Sequence, residues 1–170
     1  KHRVNQTITR CDIHHNTLGY SGTMGNGTRV VGNHFYDNGT AIATDSFYAG
    51  GHPGFPQDSA VFENNNFYSN NFNIYGPDSD VKSSTPVPIG VGIMIAGGNG
   101  NTVIGNHIWD NWRRGTMLLA VPDAISCSLG FQTCVRLLSI SVTSALPRLP
   151  IVSPRRVASS SPPAPPPTMR

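Results

Sequence analysis

The apolar positions of this chain fall in short, interrupted runs and not on helical stripes. Four segments, 8–16, 30–38, 62–70 and 103–111, share one pattern. Each reads apolar residue, two positions, Asn (Cys11 in the first segment), one position, apolar residue, two positions, Asn. Such alternation marks short strands, because successive side chains on a strand point to opposite faces. Repetition of the pattern marks a solenoid. From Cys11 to Asn33 is 22 residues, from Asn33 to Asn65 is 32, and from Asn65 to Asn106 is 41. The spacing predicts a basic coil of 22 residues with insertions in later coils. The insertions are expected at 49–58 and 76–90, where Gly, Pro and Asp favour loops.

The pattern also predicts columns. Ile8, Val30, Phe62 and Val103 form one inward stack, and Ile13, Phe35, Phe67 and Ile108 a second. A third strand in each coil is expected to bring in Tyr20, Ile42, Ile74 and, with a slip in register, Met117. One coil cannot bury its own apolar side chains, but stacked coils bury them against equivalent neighbours. Asn33, Asn65 and Asn106 are expected to form an asparagine ladder, with Cys11 in its place at one end. Asn16, Asn38, Asn70 and Asn111 form a second, unbroken column. Helical repeats do not fit the alternation or the density of Asn and Gly.

These four motifs, with strand starts at Gly19-Tyr20 and Gly92-Ile93, resemble the repeats of right-handed parallel β-helix proteins of the pectate-lyase-like superfamily. The resemblance covers roughly residues 4–121. It implies an all-β, right-handed, single-stranded parallel β-helix of about four to five coils within residues 1–124. The superfamily includes polysaccharide lyases, hydrolases, uronan epimerases and non-catalytic surface proteins, and the fold does not choose among them. The resemblance implies a polysaccharide partner and a secreted or cell-surface setting.

Composition divides the chain. All 15 Asn and 17 of the 18 Gly lie in residues 1–124. The same stretch holds all nine acidic residues and seven Lys or Arg, whereas 125–170 holds five Arg and no acid. The net charge of +3 therefore comes from the tail and is no nucleic-acid footprint on the repeats. The tail is rich in Pro, Ser and Arg. It reads either as a disordered low-complexity segment or as sequence translated in a shifted frame. No apolar run is long enough to span a bilayer. The chain opens on Lys1 with no basic-then-apolar leader, and it reads as a fragment or processed chain. Cys11, Cys127 and Cys134 make neither a disulfide framework nor a metal motif.

Candidate chemistry lies on the outward positions. One outward column is His14, Tyr36, Tyr68 and Trp109, and its neighbour is Asp12, His34, Asn66 and His107. Flat rings beside imidazoles suit a sugar surface, with His14, Tyr36, Tyr68, Trp109, His34 and His107 as candidate substrate contacts. Outward rings also stabilise a ladder by stacking alone. A lyase or epimerase needs a group that neutralises the uronate, a base and an acid. The candidates are Lys82, Arg113 and Asp110. Asp78 and Asp80 share an insertion with Lys82 and are candidate calcium ligands; no motif demands a cofactor. Asp37 and Asp110 share a column two coils apart, about 10 Å at strand spacing, within the range of a glycosidase pair. Solenoid ends left open are expected to self-associate.

Overall fold

The computed structural model describes residues 5–22, 25–46, 48–49, 52–53, 57–83 and 86–121. The tail at 125–170, with Cys127 and Cys134, lies outside the described residues. Twelve strands make three sheets of four, all paired in parallel. The first sheet contains β1 (Thr7–Thr9), β4 (Arg29–Val31), β9 (Val61–Glu63) and β12 (Thr102–Ile104). The second contains β2 (Asp12–His14), β5 (His34–Tyr36), β10 (Asn66–Tyr68) and β13 (His107–Trp109). The third contains β3 (Leu18–Ser21), β6 (Thr40–Asp45), β11 (Val91–Ala96) and β14 (Arg114–Leu119). A short antiparallel pair, β7 (Tyr48–Ala49) and β8 (His52–Pro53), lies in the first insertion. The chain visits the three sheets in turn, so each circuit is one coil of a parallel β-helix. Coil 1 spans 5–22, coil 2 spans 26–46, coil 3 spans 58–96 and coil 4 spans 99–121. Among the described residues no helix is long and apolar enough to cross a membrane.

Each corner is turned by a residue in the left-handed region. One corner uses Arg10, Gly32, Asn64 and Gly105, with φ between 53° and 67°. The next uses His15, Asp37, Ser69 and Asp110, with φ between 50° and 56°. A non-glycine residue there costs roughly 1–2 kcal/mol, so something must offset it at every coil. The offset is the residue that follows. Asn33, Asn65 and Asn106 stand just after one corner, and Asn38, Asn70 and Asn111 just after the other. Asn33 donates both its backbone N–H and its Nδ2 to Asn65 Oδ1 at 2.9 Å. Asn65 repeats both bonds to Asn106 Oδ1. Asn16, Asn38, Asn70 and Asn111 form the second ladder, with amide bonds of 2.9–3.0 Å. The ladders satisfy backbone groups that the corner turns away from sheet pairing, and unsatisfied buried groups are costly.

The core columns match the repeat. Ile8, Val30, Phe62 and Val103 are in register, as are Ile13, Phe35, Phe67 and Ile108. Phe35, Phe62, Phe67 and Val30 are wholly buried, each worth roughly 1.5–3 kcal/mol by transfer from water. The third column departs from expectation. Ile93, not Ile74, aligns with Tyr20 and Ile42, and Thr116 follows it; Met117 pairs with Met94. The cause is an excursion over 71–89, longer than the 76–90 insertion expected. Gly90 N–H donates to Gly39 O, so the chain resumes the coil only at Gly90. Ile74 is buried all the same, its methyls packed against Gly39.

Candidate functional site

The second sheet turns one face outward, and its predicted column is a continuous stack of rings. His14 lies 4.9 Å from Tyr36 at 14°, Tyr36 lies 5.3 Å from Tyr68 at 10°, and Tyr68 lies 4.7 Å from Trp109 at 8°. The parallel register puts the rings at coil spacing with Cα atoms aligned. Each inner ring face is therefore covered by its neighbour. Among the described residues a line of ring edges faces outward, and only His14 and Trp109 have a ring face that no ring of the column covers. Among the described residues neither the Tyr36 nor the Tyr68 hydroxyl has a protein hydrogen-bond partner. Beside the stack, Asp12, His34 and His107 are exposed, and the His34 ring meets Tyr68 edge-on at 6.5 Å. The face is thus a rigid apolar spine with polar groups along its edge.

A second cluster sits at the corner next to this sheet. His15 Nδ1 lies 3.2 Å from Asp37 Oδ2, and its Nε2 lies 2.9 Å from Asp80 Oδ1. Its ring packs on Phe72 at 4.4 Å. The Asp80 hydrogen bond, then that of Asp37, raises the His15 pKa above its ordinary 6.5. The same contact lowers that of Asp80. His14 and His15 diverge as strand alternation requires, one joining the stack and the other the corner. The partner of His15 was out of reach of sequence reasoning, because the excursion carries Asp80 back from coil 3 to coil 1.

The catalytic candidates lie on two segments, Asp110 and Arg113 between β13 and β14, and Lys82 in the 71–89 excursion. Asp110 accepts a hydrogen bond from Ser69 Oγ at 2.6 Å on coil 4. Arg113 lies over the Trp112 ring at 4.7 Å and donates through Nε to Ile89 O. Lys82 follows Asp80, which is fastened at coil 1. Three coil spacings, about 14 Å, separate that point from Asp110. Asp37 and Asp110 occupy one corner column, each with its own partner. Among the described residues no group of three or more His, Cys, Asp or Glu side chains is placed to hold a metal. Asp80 is engaged by His15. Cys11 is a free, exposed thiol.

A third polar ladder escaped the sequence reading. Asp58 N–H donates to Asn26 Oδ1 at 2.7 Å, and Asn99 N–H to Asp58 Oδ1 at 2.6 Å. The signal was present, because Asn26, Asp58 and Asn99 keep the 32 and 41 spacing of the other ladders. Asp58 is therefore a ladder residue. Comparison with family models, with curated proteins and with solved structures finds no match to this chain.

Proposed function

We propose that the outward face of the second sheet binds a polysaccharide, as a glycan-binding surface and not a site of turnover. The observation that carries this reading is the ring stack of His14, Tyr36, Tyr68 and Trp109, with its two unpartnered phenol hydroxyls and the adjacent His34 and His107. Stacking fixes the rings before any ligand arrives, so little side-chain entropy is lost on binding. The hydroxyls and imidazoles then donate to and accept from sugar hydroxyls, and the open face of Trp109 takes the C–H face of one ring. A binding role is favoured over a lyase or epimerase role because Asp110 and Arg113 are each engaged by protein groups, Ser69 Oγ and Ile89 O. The setting for such a partner is outside the cell or on its surface, and membership of the pectate-lyase-like superfamily belongs to the same proposal.

The test is calorimetric titration of the full chain with a polyuronide and with a neutral glycan, alongside an assay for unsaturated or reducing-end products. Binding without product is expected. Tyr36→Phe with Tyr68→Phe should weaken it severalfold while the ring stack stays. No binding to either glycan, or affinity unchanged in that double variant and in Trp109→Ala, overturns the reading.

A further inference from the structure

We propose that Asp80 is an internal stand-in for a ligand carboxylate: the excursion seats its own carboxylate on the His15 imidazole, at the edge of the ring face, and a uronic-acid-bearing glycan displaces it there. The proposal deepens the polysaccharide reading and rests on it. It names the substrate class, an acidic glycan, and the position that takes the acid group.

The cluster stands beside the ring column by chain connectivity. His14 and Tyr36 stack in the column, and His15 and Asp37 are the residues that follow them. Both turn the corner in the left-handed region, at φ 56° and 50°, just past β2 and β5. Consecutive Cα atoms are about 3.8 Å apart, so a sugar seated on the rings of coils 1 and 2 has this corner as its nearest neighbour. The imidazole is built to hold carboxylates. Phe72 packs on its face at 4.4 Å, and Asp37 holds Nδ1 at 3.2 Å. Nε2 then carries Asp80 Oδ1 at 2.9 Å. Both ring nitrogens donate only in the imidazolium form, and two flanking carboxylates favour that form. With Asp37 orienting the ring from coil 2, Nε2 is a directed, charged donor for one carboxylate oxygen.

Asp80 is held in a way that lets it leave. Its side chain is 75% exposed, and exposed ion pairs are weak. The base of the excursion is pinned independently of it. Ile74 is buried against Gly39, the Tyr75 hydroxyl donates to Val87 O and accepts the Val87 N–H, and Thr40 Oγ1 donates to Pro88 O. The tip is not so pinned. Among the described residues, the contact of Asp80 with His15 is the only hydrogen bond or ion pair that ties 76–82 to anything outside 73–82. Breaking it releases the tip and leaves the coils, the ladders and the base of the excursion in place. The carboxylate of a bound uronate makes the same bond to Nε2. A tethered carboxylate competes at high effective concentration, so Asp80 lowers affinity for an acidic glycan and has no counterpart to compete with on a neutral one.

The test is calorimetric titration of the full chain with polygalacturonate and with its methyl ester, the same backbone with its carboxylates masked. The quantity read is the ratio of the two affinities. Asp80→Ala should raise the preference for the acid form by about twofold to fivefold, the range that an exposed ion pair spans. Adding His15→Gln to Asp80→Ala should abolish that gain. A ratio that Asp80→Ala leaves unmoved, or a gain that survives His15→Gln, overturns the displacement while the polysaccharide reading stands. Binding of neither polymer overturns that reading, and this inference with it. Amide exchange supplies a readout that a purely structural tie would not move. In the unsubstituted chain, polygalacturonate should hasten exchange over 78–83, and the methyl ester should not. Faster exchange with both polymers, or with neither, counts against displacement of Asp80 by a carboxylate.

Discussion

His15 and Asp80, 65 residues apart in the chain, meet at 2.9 Å between Nε2 and Oδ1. The other nitrogen of the same ring meets Asp37, and its face rests on Phe72. One imidazole thus ties the 71–89 excursion, which leaves and rejoins the helix in coil 3, across to coil 1. All three polar groups are substantially exposed, with side chains 41%, 52% and 75% accessible for His15, Asp37 and Asp80. Exposed ion pairs add little to global stability. Their effect falls on the order of the excursion.

The tie has a pH window. His15 has a raised pKa, so its contribution is complete below the ordinary value of 6.5 and is lost as pH rises through the raised one. Asp80 has a lowered pKa, so its contribution is present above the ordinary 3.8 and is lost as pH falls through the lowered one. The excursion should be held best between those limits, in mildly acidic solution. Amide exchange over 73–83, corrected for its intrinsic pH dependence, should be slowest there. In an imidazole titration by NMR, Asp80→Asn should bring the His15 midpoint down; an unmoved midpoint would show that Asp80 does not hold the ring in solution.

Asn65 is the most demanding ladder position. It is wholly buried, accepts two bonds from Asn33, and donates from Nδ2 to Val30 O and Asn106 Oδ1. Asn65→Ala takes from Asn33 N–H its acceptor, from Asn33 Nδ2 one of its two acceptors (Ile8 O remains), and from Val30 O and Asn106 Oδ1 the Nδ2 donor. At about 1–3 kcal/mol for each buried group left unsatisfied, the loss should reach several kcal/mol. Urea unfolding should show a clearly lower midpoint. The same change at Asn106, which among the described residues donates to no further ladder side chain and is only half-buried, should cost less. Equal losses would mean that ladder length, not local satisfaction, sets the stability.

The strands and two ladders were legible in the sequence because Asn33, Asn65 and Asn106 sit at fixed offsets from Phe35, Phe67 and Ile108, and corner chemistry leaves few substitutes for Asn. The third strand of coil 3 was not legible. Ile74 follows Asn70 at the same offset by which Ile42 follows Asn38, and nothing local marks the chain's departure there. The distinction lies in a long-range bond, Gly90 N–H to Gly39 O, that no pattern encodes. The outward aromatic column was likewise legible, but its geometry was not. Sequence alone presents the rings as open platforms, whereas coil spacing closes all the inner faces. The His15 cluster was invisible for the reason that Ile74 misled, since both depend on the path of the excursion.

Two glycines separate backbone strain from steric exclusion. Gly92 lies within β11, and a Cβ there would stand 2.5 Å from the carbonyl oxygen of Gly115, a backbone atom that cannot step aside. Gly32 turns a corner at φ 67°, and a Cβ there meets nothing within 4 Å. Gly92→Ala should therefore destabilise by overpacking, on the order of 1–3 kcal/mol or more. Gly32→Asn should cost about 1 kcal/mol or less, because Asn tolerates the left-handed region; Asn64 occupies the equivalent corner one coil on. Thermal melts of the two variants should rank in that order, and a reversed ranking would place the strain of the coil at its corners and not between its strands.

Tyr68 is the ring whose removal best distinguishes a structural column from a binding face. It stacks on Tyr36 at 5.3 Å and on Trp109 at 4.7 Å, so both of its faces are in use. Aromatic pairs contribute about 0.5–1.5 kcal/mol each beyond area burial. Tyr68→Ala should thus destabilise by roughly 1–3 kcal/mol from stacking alone, and more than Trp109→Ala, which breaks one pair at a ring 48% exposed. Tyr68→Phe keeps both stacks and removes a hydroxyl with no protein partner, so its unfolding midpoint should match that of the unsubstituted chain. If the hydroxyl serves only solvent, glycan affinity is unchanged as well. If it serves a sugar, affinity falls at constant stability, a separation that loss of the column as a scaffold cannot produce.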